Sequence, residues 1–437
     1  MTPSRIAAFK ALGHFRRDGS WTDLYLKKQL NDMTSEDAAL ATTITYGVLQ
    51  NMYLIDFYIS KYSSVKLKKI MPQVLDAMRC GVYQILFLDK IPMFAAVNET
   101  VSIIKKNANP RAASFANAVL RKICANKDNL PPIEADNKIG TLSIKYSHPE
   151  WLVNKLSDQY GVDVCERVLQ SNNDIAPVYI RVNTLKISTE ELISILSNRN
   201  IDVKRVDGLA NALICNSTTP LHLTDEFLNG LFYIQDIASQ LAIEILGTNP
   251  GDRVIDMCSA PGGKSLIAAQ FMENKGQIKA FDLHSHKISI INENSKKYGV
   301  DIIDAKASDS SKLDNSLLNW ADRIICDVPC SGIGIIRKKP DIRYKNPQDI
   351  ADLPSIQLSI LKNASKYLKS GGRLVYSTCT ILKEENEDVI NKFLNEEKDF
   401  SLASFDNSVC GKTDGMVTLL PHINKCDGFF IAVLDRK

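Results

Sequence analysis

Apolar residues recur at helical spacing through the first third of the chain, and no strand-like alternation interrupts them. The pattern starts at Ile6, Ala7, Phe9 and Leu12, returns across residues 40–49, and returns again at Val74, Leu75, Met78, Val82, Ile85 and Leu86. Two further helices are expected at residues 95–101 and 115–121. An all-helical domain over residues 1–130 follows. Residues 128–137 are polar and hold the pair Pro131-Pro132, which marks a linker. Beyond it Pro149 opens a helix, and strands at 179–183 and 203–206 flank a helix at 190–196, giving a small α+β domain over 145–230. From residue 235 strand and helix patterns alternate, as they do over a parallel sheet. Strands are expected at 253–257, 277–282, 304–307, 323–327 and 373–377, and helices at 263–272, 285–298, 355–368 and 384–394. The apolar run 428–434 reads as a late strand that pairs antiparallel at the sheet. The fold class is therefore multidomain, with an all-α domain, a small α+β linker domain and an α/β Rossmann-like domain over 235–437.

Length agrees, since 437 residues exceed what one hydrophobic core organises. Hydrophobic content of 45% and charged content of 24% are those of a globular protein outside the membrane. The longest apolar run ends at Asp435, and the first residues hold no signal-peptide apolar region, so a cytoplasmic protein with no membrane partner is expected. Ten cysteines without a Cys-x-x-Cys pair argue against a disulfide framework and a zinc site, and no metal is expected. Charge is uneven. Residues 1–130 carry eighteen Lys and Arg against ten Asp and Glu, a net +8, while the remainder carries thirty-five against forty, a net −5. A basic module joined to a mildly acidic unit suits docking to a polyanion. The cluster Lys66, Lys68 and Lys69 is equally well read as the solvated end of a helix.

The chemistry concentrates where strands end. After the first strand of the parallel region comes Cys258-Ser259-Ala260-Pro261-Gly262-Gly263-Lys264. Gly262 and Gly263 let the backbone approach a ligand, and the helix that starts there offers free N–H groups. The next strand ends at Asp282, about 20 residues on, where an acid binds ribose hydroxyls. Cys258 occupies a position where a Walker A loop needs glycine, and there is no Gly-x-Gly-x-x-Gly. An adenosine cofactor without pyrophosphate, S-adenosylmethionine, suits this loop. Asp309 follows the third strand, and reads either as the acceptor of an adenine amino group or as a surface aspartate of a polar loop; Asp327 ends the fourth. Cys330 and Cys379 then follow strands directed to that same sheet edge. A thiolate adding to carbon 6 of a cytosine makes carbon 5 nucleophilic toward a methyl group, with Asp327 assisting at N3. The residues alone do not choose which thiol attacks. Arg337, Lys338, Lys339, Arg343 and Lys345, with Tyr344 among them, read as a loop that grips the phosphates of a strand whose base is flipped out, a reading that its place beside the cleft favours over a merely solvated loop.

These motifs resemble the Sun/Fmu family of RNA 5-methylcytosine methyltransferases, and within it most closely the bacterial enzymes of small-subunit ribosomal RNA. The likeness rests on the loop 258–264, on Asp327-Val328-Pro329-Cys330, on the basic run from Arg337 to Arg343, on Thr378-Cys379-Thr380 with Glu384-Glu385-Asn386, and on Asp427-Gly428-Phe429-Phe430. It implies that Cys379 is the nucleophile, that Cys330 assists release, and that Asp282, Asp309 and Asp327 contact the cofactor. The helical domain resembles the antitermination factor NusB through Ala96-Val97-Asn98-Glu99 and residues 115–121, which implies RNA binding. The expected partner is small-subunit (16S) ribosomal RNA, met by a monomer. The competing reading is a non-catalytic RNA-binding or antitermination factor with a degenerate methyltransferase domain; the intact loop, Asp327 and both cysteines speak against it. A small-molecule or protein methyltransferase would need neither the thiol pair nor the basic helical module.

Overall fold

The computed structural model describes residues 2–19, 22–217 and 219–437. Met1, where the expected helical domain begins, lies outside them. The chain divides into two compact units, the first running to Asn173 and adding Lys338–Pro347, the second made of Asp174–Arg337 and Gln348–Lys437.

The first unit is helical. Pro3, Pro72 and Pro110 stand at the first turns of Pro3–Asp18, Pro72–Phe87 and Pro110–Ala125, where a missing N–H costs nothing. Asn109 and Asn137 cap their helices by accepting from Ala112 N and Gly140 N, at 2.9 and 2.8 Å. The predicted periodicity faces inward: Ile44, Val48, Met78, Ile85 and Leu120 are fully or almost fully buried in one core. Some of the positive charge is used internally. Arg16 and Arg79 reach the buried Asp76 at 2.8 and 3.3 Å, and Arg79 pairs with Asp56 at 2.6 Å. Lys66, Lys68 and Lys69 are exposed at the short turn Leu67–Lys69, as expected for a solvated end.

Helices Lys138–Tyr146, Glu150–Tyr160 and Val162–Ser171 join this unit and not the small sheet. The polar backbone between them explains why. Leu54 N donates to Ser147 Oγ at 3.1 Å, and Gln50 Nε2 donates to the Asn173 carbonyl at 2.6 Å. Arg343, fully buried, then donates to the carbonyls of Gln50, Tyr146 and Ser147 at 2.8, 3.2 and 3.1 Å. Burial pulls its guanidinium down to about 10, which still leaves it charged at neutral pH. Tyr344 donates to the Leu49 carbonyl at 2.6 Å and packs edge-on against Phe15 and Tyr53. The basic-loop reading is corrected here: Arg343 and Tyr344 are structural, donating to carbonyls of the helical unit. Arg337 is also mostly buried, donating to the Cys426 carbonyl at 2.9 Å beside Asp427. Only Lys338 and Lys339 of that run are exposed.

The second unit opens with an antiparallel sheet of β1 (Val178–Val182), β2 (Asp202–Arg205), β3 (Ala212–Asn216) and β4 (Phe232–Ile234), ordered β2-β3-β1-β4. Its helix Thr189–Asn198 starts from a capping box between Ser188 and Glu191. The main sheet follows with β5 (Arg253–Asp256), β6 (Gln277–Asp282), β7 (Ile303–Ala307), β8 (Ala321–Asp327), β9 (Leu368–Thr378) and β10 (Phe400–Leu402). A hairpin of β11 (Phe405–Asn407) and β12 (Gly411–Thr413) leads to β13 (Met416–Leu419) and β14 (Phe429–Arg436). The order is β10-β14-β9-β8-β5-β6-β7, with β13 also on β14. β5 to β9 run parallel and β14 lies antiparallel on β9, as the sequence pattern requires.

Both faces of the sheet are covered, so neighbouring residues feed opposite cores. Val254, Ile325, Val375 and Ile431 pack with helices Ile237–Leu246 and Gly263–Phe271. Ile255, Ile324, Leu374 and Ala432 pack on the other face with Leu353–Tyr367 and Glu387–Glu396. Among the described residues no helix is long and apolar enough to cross a membrane.

Candidate active site

Parallel register delivers the chemistry to one edge. Asp327 ends β8 opposite Ser377 of β9, and Ser377 Oγ donates to Asp327 Oδ1 at 2.7 Å. Val328 N continues the pairing onto the Ser377 carbonyl at 3.2 Å, and Gly334 N donates to the Cys379 carbonyl at 3.0 Å. The two loops leave neighbouring strands, and their sulfurs meet: Cys330 Sγ lies 3.1 Å from Cys379 Sγ. The surroundings favour the proton on Cys330. Its thiol is raised well above the ordinary range by its bond to Cys379 and by burial, while that same bond lowers Cys379, with help from the Lys264 ammonium.

A cavity of about 420 Å³ and one of about 620 Å³ flank the glycine-rich loop, each within the ~300–1,000 Å³ of small-molecule sites. The larger is walled by Cys258, Ala260, Asp282, Asp309, Asp327, Cys330 and Cys379. The smaller shares Cys258, Ala260 and Asp327 and adds Ser259, Pro261, Gly263 and Lys264. Gly262 lines neither. Its φ of +99° makes the turn, and a Cβ there would reach Ile291. At Gly263 a Cβ would meet Gln235 Nε2 at 3.0 Å, so this glycine also admits a protein neighbour.

Each acid has its own surroundings. Lys264, read above as a loop contact, points its ammonium at Asp327 Oδ2, 2.7 Å away, with the Phe429 ring 5.5 Å beneath. Burial opposes its charge, yet Asp327 outweighs burial and raises it. Asp282 is nearly buried, 3.2 Å from Lys287 Nζ. Asp309 accepts from Ser311 Oγ at 2.6 Å and from Ser311 N at 3.1 Å, and the hydroxyl bond lowers its carboxyl. Cys258 is a packing residue whose thiol burial pushes up.

Asp256, which sequence reading left out, lies beneath the loop and accepts from Ser265 Oγ at 2.7 Å. Burial pushes its carboxyl from 3.8 up to about 6. The fold therefore favours the protonated acid: its contribution is complete below the unfolded value and lost as pH rises through about 6. Asp256→Asn is expected to raise the melting temperature at pH 8 and to leave it unchanged at pH 4, a relative gain on the order of 2–3 kcal/mol. Thermal melts of both proteins across that range check it.

Sequence reading missed Gly334, and met Gly428 only as part of the closing motif. Gly428 N donates to the Gly334 carbonyl at 2.8 Å. A Cβ on Gly334 would stand 1.8 Å from the Gly428 carbonyl oxygen and 2.9 Å from that of Cys379. Backbone cannot yield as a side chain does. Gly334→Ala is expected to cost about 3 kcal/mol or more, lowering the melting midpoint by roughly 6–12 °C, as scanning calorimetry would read.

Comparison with known proteins gives a consistent outcome. The 16S rRNA methyltransferase RsmB/F family profile matches residues 243–435, the NusB family profile residues 2–125, and the ferredoxin-like domain of RsmF/B-like methyltransferases residues 148–222. The chain is 36% identical to a Bacillus subtilis protein named probable ribosomal RNA small subunit methyltransferase B, over 100% of this chain and 99% of that one. A Synechocystis protein of the same name is 31% identical over the full length of both. The crystal structure of a methyltransferase homolog protein from Pyrococcus horikoshii superposes with a TM-score of 0.62 at 27% identity, covering 69% of this chain and 100% of that one. Three family profiles follow one another along this chain, relatives at 36% and 31% identity match it over its whole length, and the chain belongs to the ribosomal RNA small subunit methyltransferase B family.

Proposed function

We propose that this protein methylates carbon 5 of a cytosine in small-subunit ribosomal RNA, with S-adenosylmethionine as methyl donor and Cys379 as the attacking thiol. The observation that carries the reading is the approach of the two sulfurs to 3.1 Å in one cavity with Asp282, Asp309 and Asp327. When bound, S-adenosylmethionine supplies an electrophilic methyl group. Asp282 suits its ribose hydroxyls and Asp309 its adenine amine, with the loop 258–264 alongside.

The remaining work falls to the protein's own groups. Cys379, the thiol of lower pKa, adds to carbon 6 of the cytosine and turns carbon 5 into a nucleophile. Asp327 already accepts from Lys264 and Ser377, so it acts as an acceptor, suited to the cytosine exocyclic amine or the ammonium of the cofactor. It is not free to serve as the acid at N3. The Lys264 ammonium beside it supplies the positive charge that stabilises negative charge developing on the base. After methylation, water takes the carbon 5 proton and the electron pair of that bond expels Cys379 as thiolate, with the Cys330 thiol beside the departing sulfur.

Ribosomal RNA as acceptor is supported by the names of the full-length relatives and by the NusB-like helical domain. The test is incubation with unmethylated 16S RNA and S-adenosylmethionine carrying an isotopic methyl group, followed by digestion to nucleosides and mass spectrometry. The expected product is labelled 5-methylcytidine. Label in another nucleoside would overturn the carbon 5 chemistry, and no label at all would favour an RNA-binding factor.

A further inference from the structure

The motif Glu385-Asn386 follows the second cysteine loop, and neither residue lines the two cavities. Each nevertheless holds one of the thiol loops. Glu385, 1% exposed, accepts on Oε2 from the backbone N–H of Ser331 at 2.8 Å and from Gln357 Nε2 at 2.9 Å. Gln357 Nε2 also donates to the Pro329 carbonyl at 2.9 Å, so both neighbours of Cys330 are fixed. Asn386 does the same for Cys379: its Oδ1 accepts from Thr378 Oγ1 at 2.6 Å, and its Nδ2 donates to the Thr380 carbonyl at 3.0 Å. A Ser331–Thr380 hydroxyl bond at 2.8 Å joins the loops, and Tyr376 OH pins the Glu385 carbonyl at 2.6 Å.

The two grips differ in charge. A neutral amide serves the Cys379 loop and a buried carboxylate serves the Cys330 loop. Negative charge one residue from Cys330 disfavours a second negative charge on its sulfur. We propose that Glu385 is a positioning residue that keeps the shared proton on Cys330 and so leaves Cys379 as the thiolate. This rests on the reading in which Cys379 attacks. The hydrogen bond between the sulfurs outweighs the charges that oppose the assignment. Lys264 faces Cys379 and favours its thiolate, while Asp327 and Asp427 oppose it. On the Cys330 side the bond to Cys379 and burial come first, and the charges of Cys379 and Glu385 add in the same direction.

Limited alkylation of the full-length enzyme by iodoacetamide, without RNA, from pH 6 to 9, tests this when both cysteines are followed by peptide mass spectrometry. Wild type should label at Cys379 while Cys330 resists. Glu385→Gln keeps the shape and removes the charge; the ratio of Cys330 to Cys379 labelling should rise about tenfold, and the pH midpoint of Cys379 should not rise, since losing a negative charge favours both thiolates. Glu385→Asp keeps the charge and should keep the wild-type order, which decides the matter if the glutamine variant does not fold. An unchanged ratio in Glu385→Gln, or an order lost in Glu385→Asp, would overturn the proposal. Because labelling needs no methyl transfer, failure here is separate from failure of the cytosine reading.

Discussion

Cys379→Ala is expected to abolish methyl transfer, with incorporation into 16S RNA lowered on the order of 10⁴-fold or more, the scale seen when a covalent nucleophile is removed. The expectation follows from the base. Carbon 5 of cytosine is a poor nucleophile until a group adds at carbon 6. Cys330 does not substitute: its bond to Cys379 goes with the substitution, but burial and the Glu385 carboxylate still push its thiol up. Nor does Lys264 substitute, its ammonium being paired with Asp327. The acids of the larger cavity are untouched by the change, so S-adenosylmethionine affinity measured by calorimetry should stay within about threefold of wild type, an affinity change under ~0.7 kcal/mol. Retained activity in Cys379→Ala together with a dead Cys330→Ala would exchange the two roles.

How much of this was legible from sequence depends on the length of the signal. The helix Ser285–Tyr298 and the strand Gln277–Asp282 fall where periodicity puts them, and the terminal strand pairs antiparallel on β9. Strands β3, β4 and β10 to β13 went unread, since three to five residues hold barely more than one alternation. Convergence of Cys330 and Cys379 on one edge was legible because both follow strands. Their contact was not, because it needs β8 and β9 to be neighbours in register. The same register hid Ser377, and Lys264 looked like a loop contact until Asp327 stood opposite it. Arg343 shows the reverse failure. Its charge suggested phosphate, but charge in sequence carries no direction, and here five polar groups of the helical unit draw the guanidinium inward.

Cys330→Ala should do the opposite of Cys379→Ala: methylate, then stay attached longer. With Cys379 joined to carbon 6, turnover requires loss of the carbon 5 proton and departure of the sulfur as thiolate. The Cys330 thiol is 3.1 Å from that sulfur and placed to donate to it, which is the interaction a leaving thiolate needs. Hydrogen bonds to charged groups contribute ~1.5–3 kcal/mol, so without it release should slow by roughly 10- to 100-fold. Incorporation should then show a burst near one methyl group per enzyme, followed by turnover slowed by that factor. A denaturing gel should show a protein–RNA species in Cys330→Ala that is absent from Cys379→Ala and from the double variant, and digestion of that species should yield methylated cytosine. Steady turnover by Cys330→Ala at the wild-type rate would remove Cys330 from the release step. An adduct formed by Cys379→Ala alone would instead make Cys330 the attacking thiol, against the lowered pKa of Cys379 and the carboxylate of Glu385 beside the Cys330 loop.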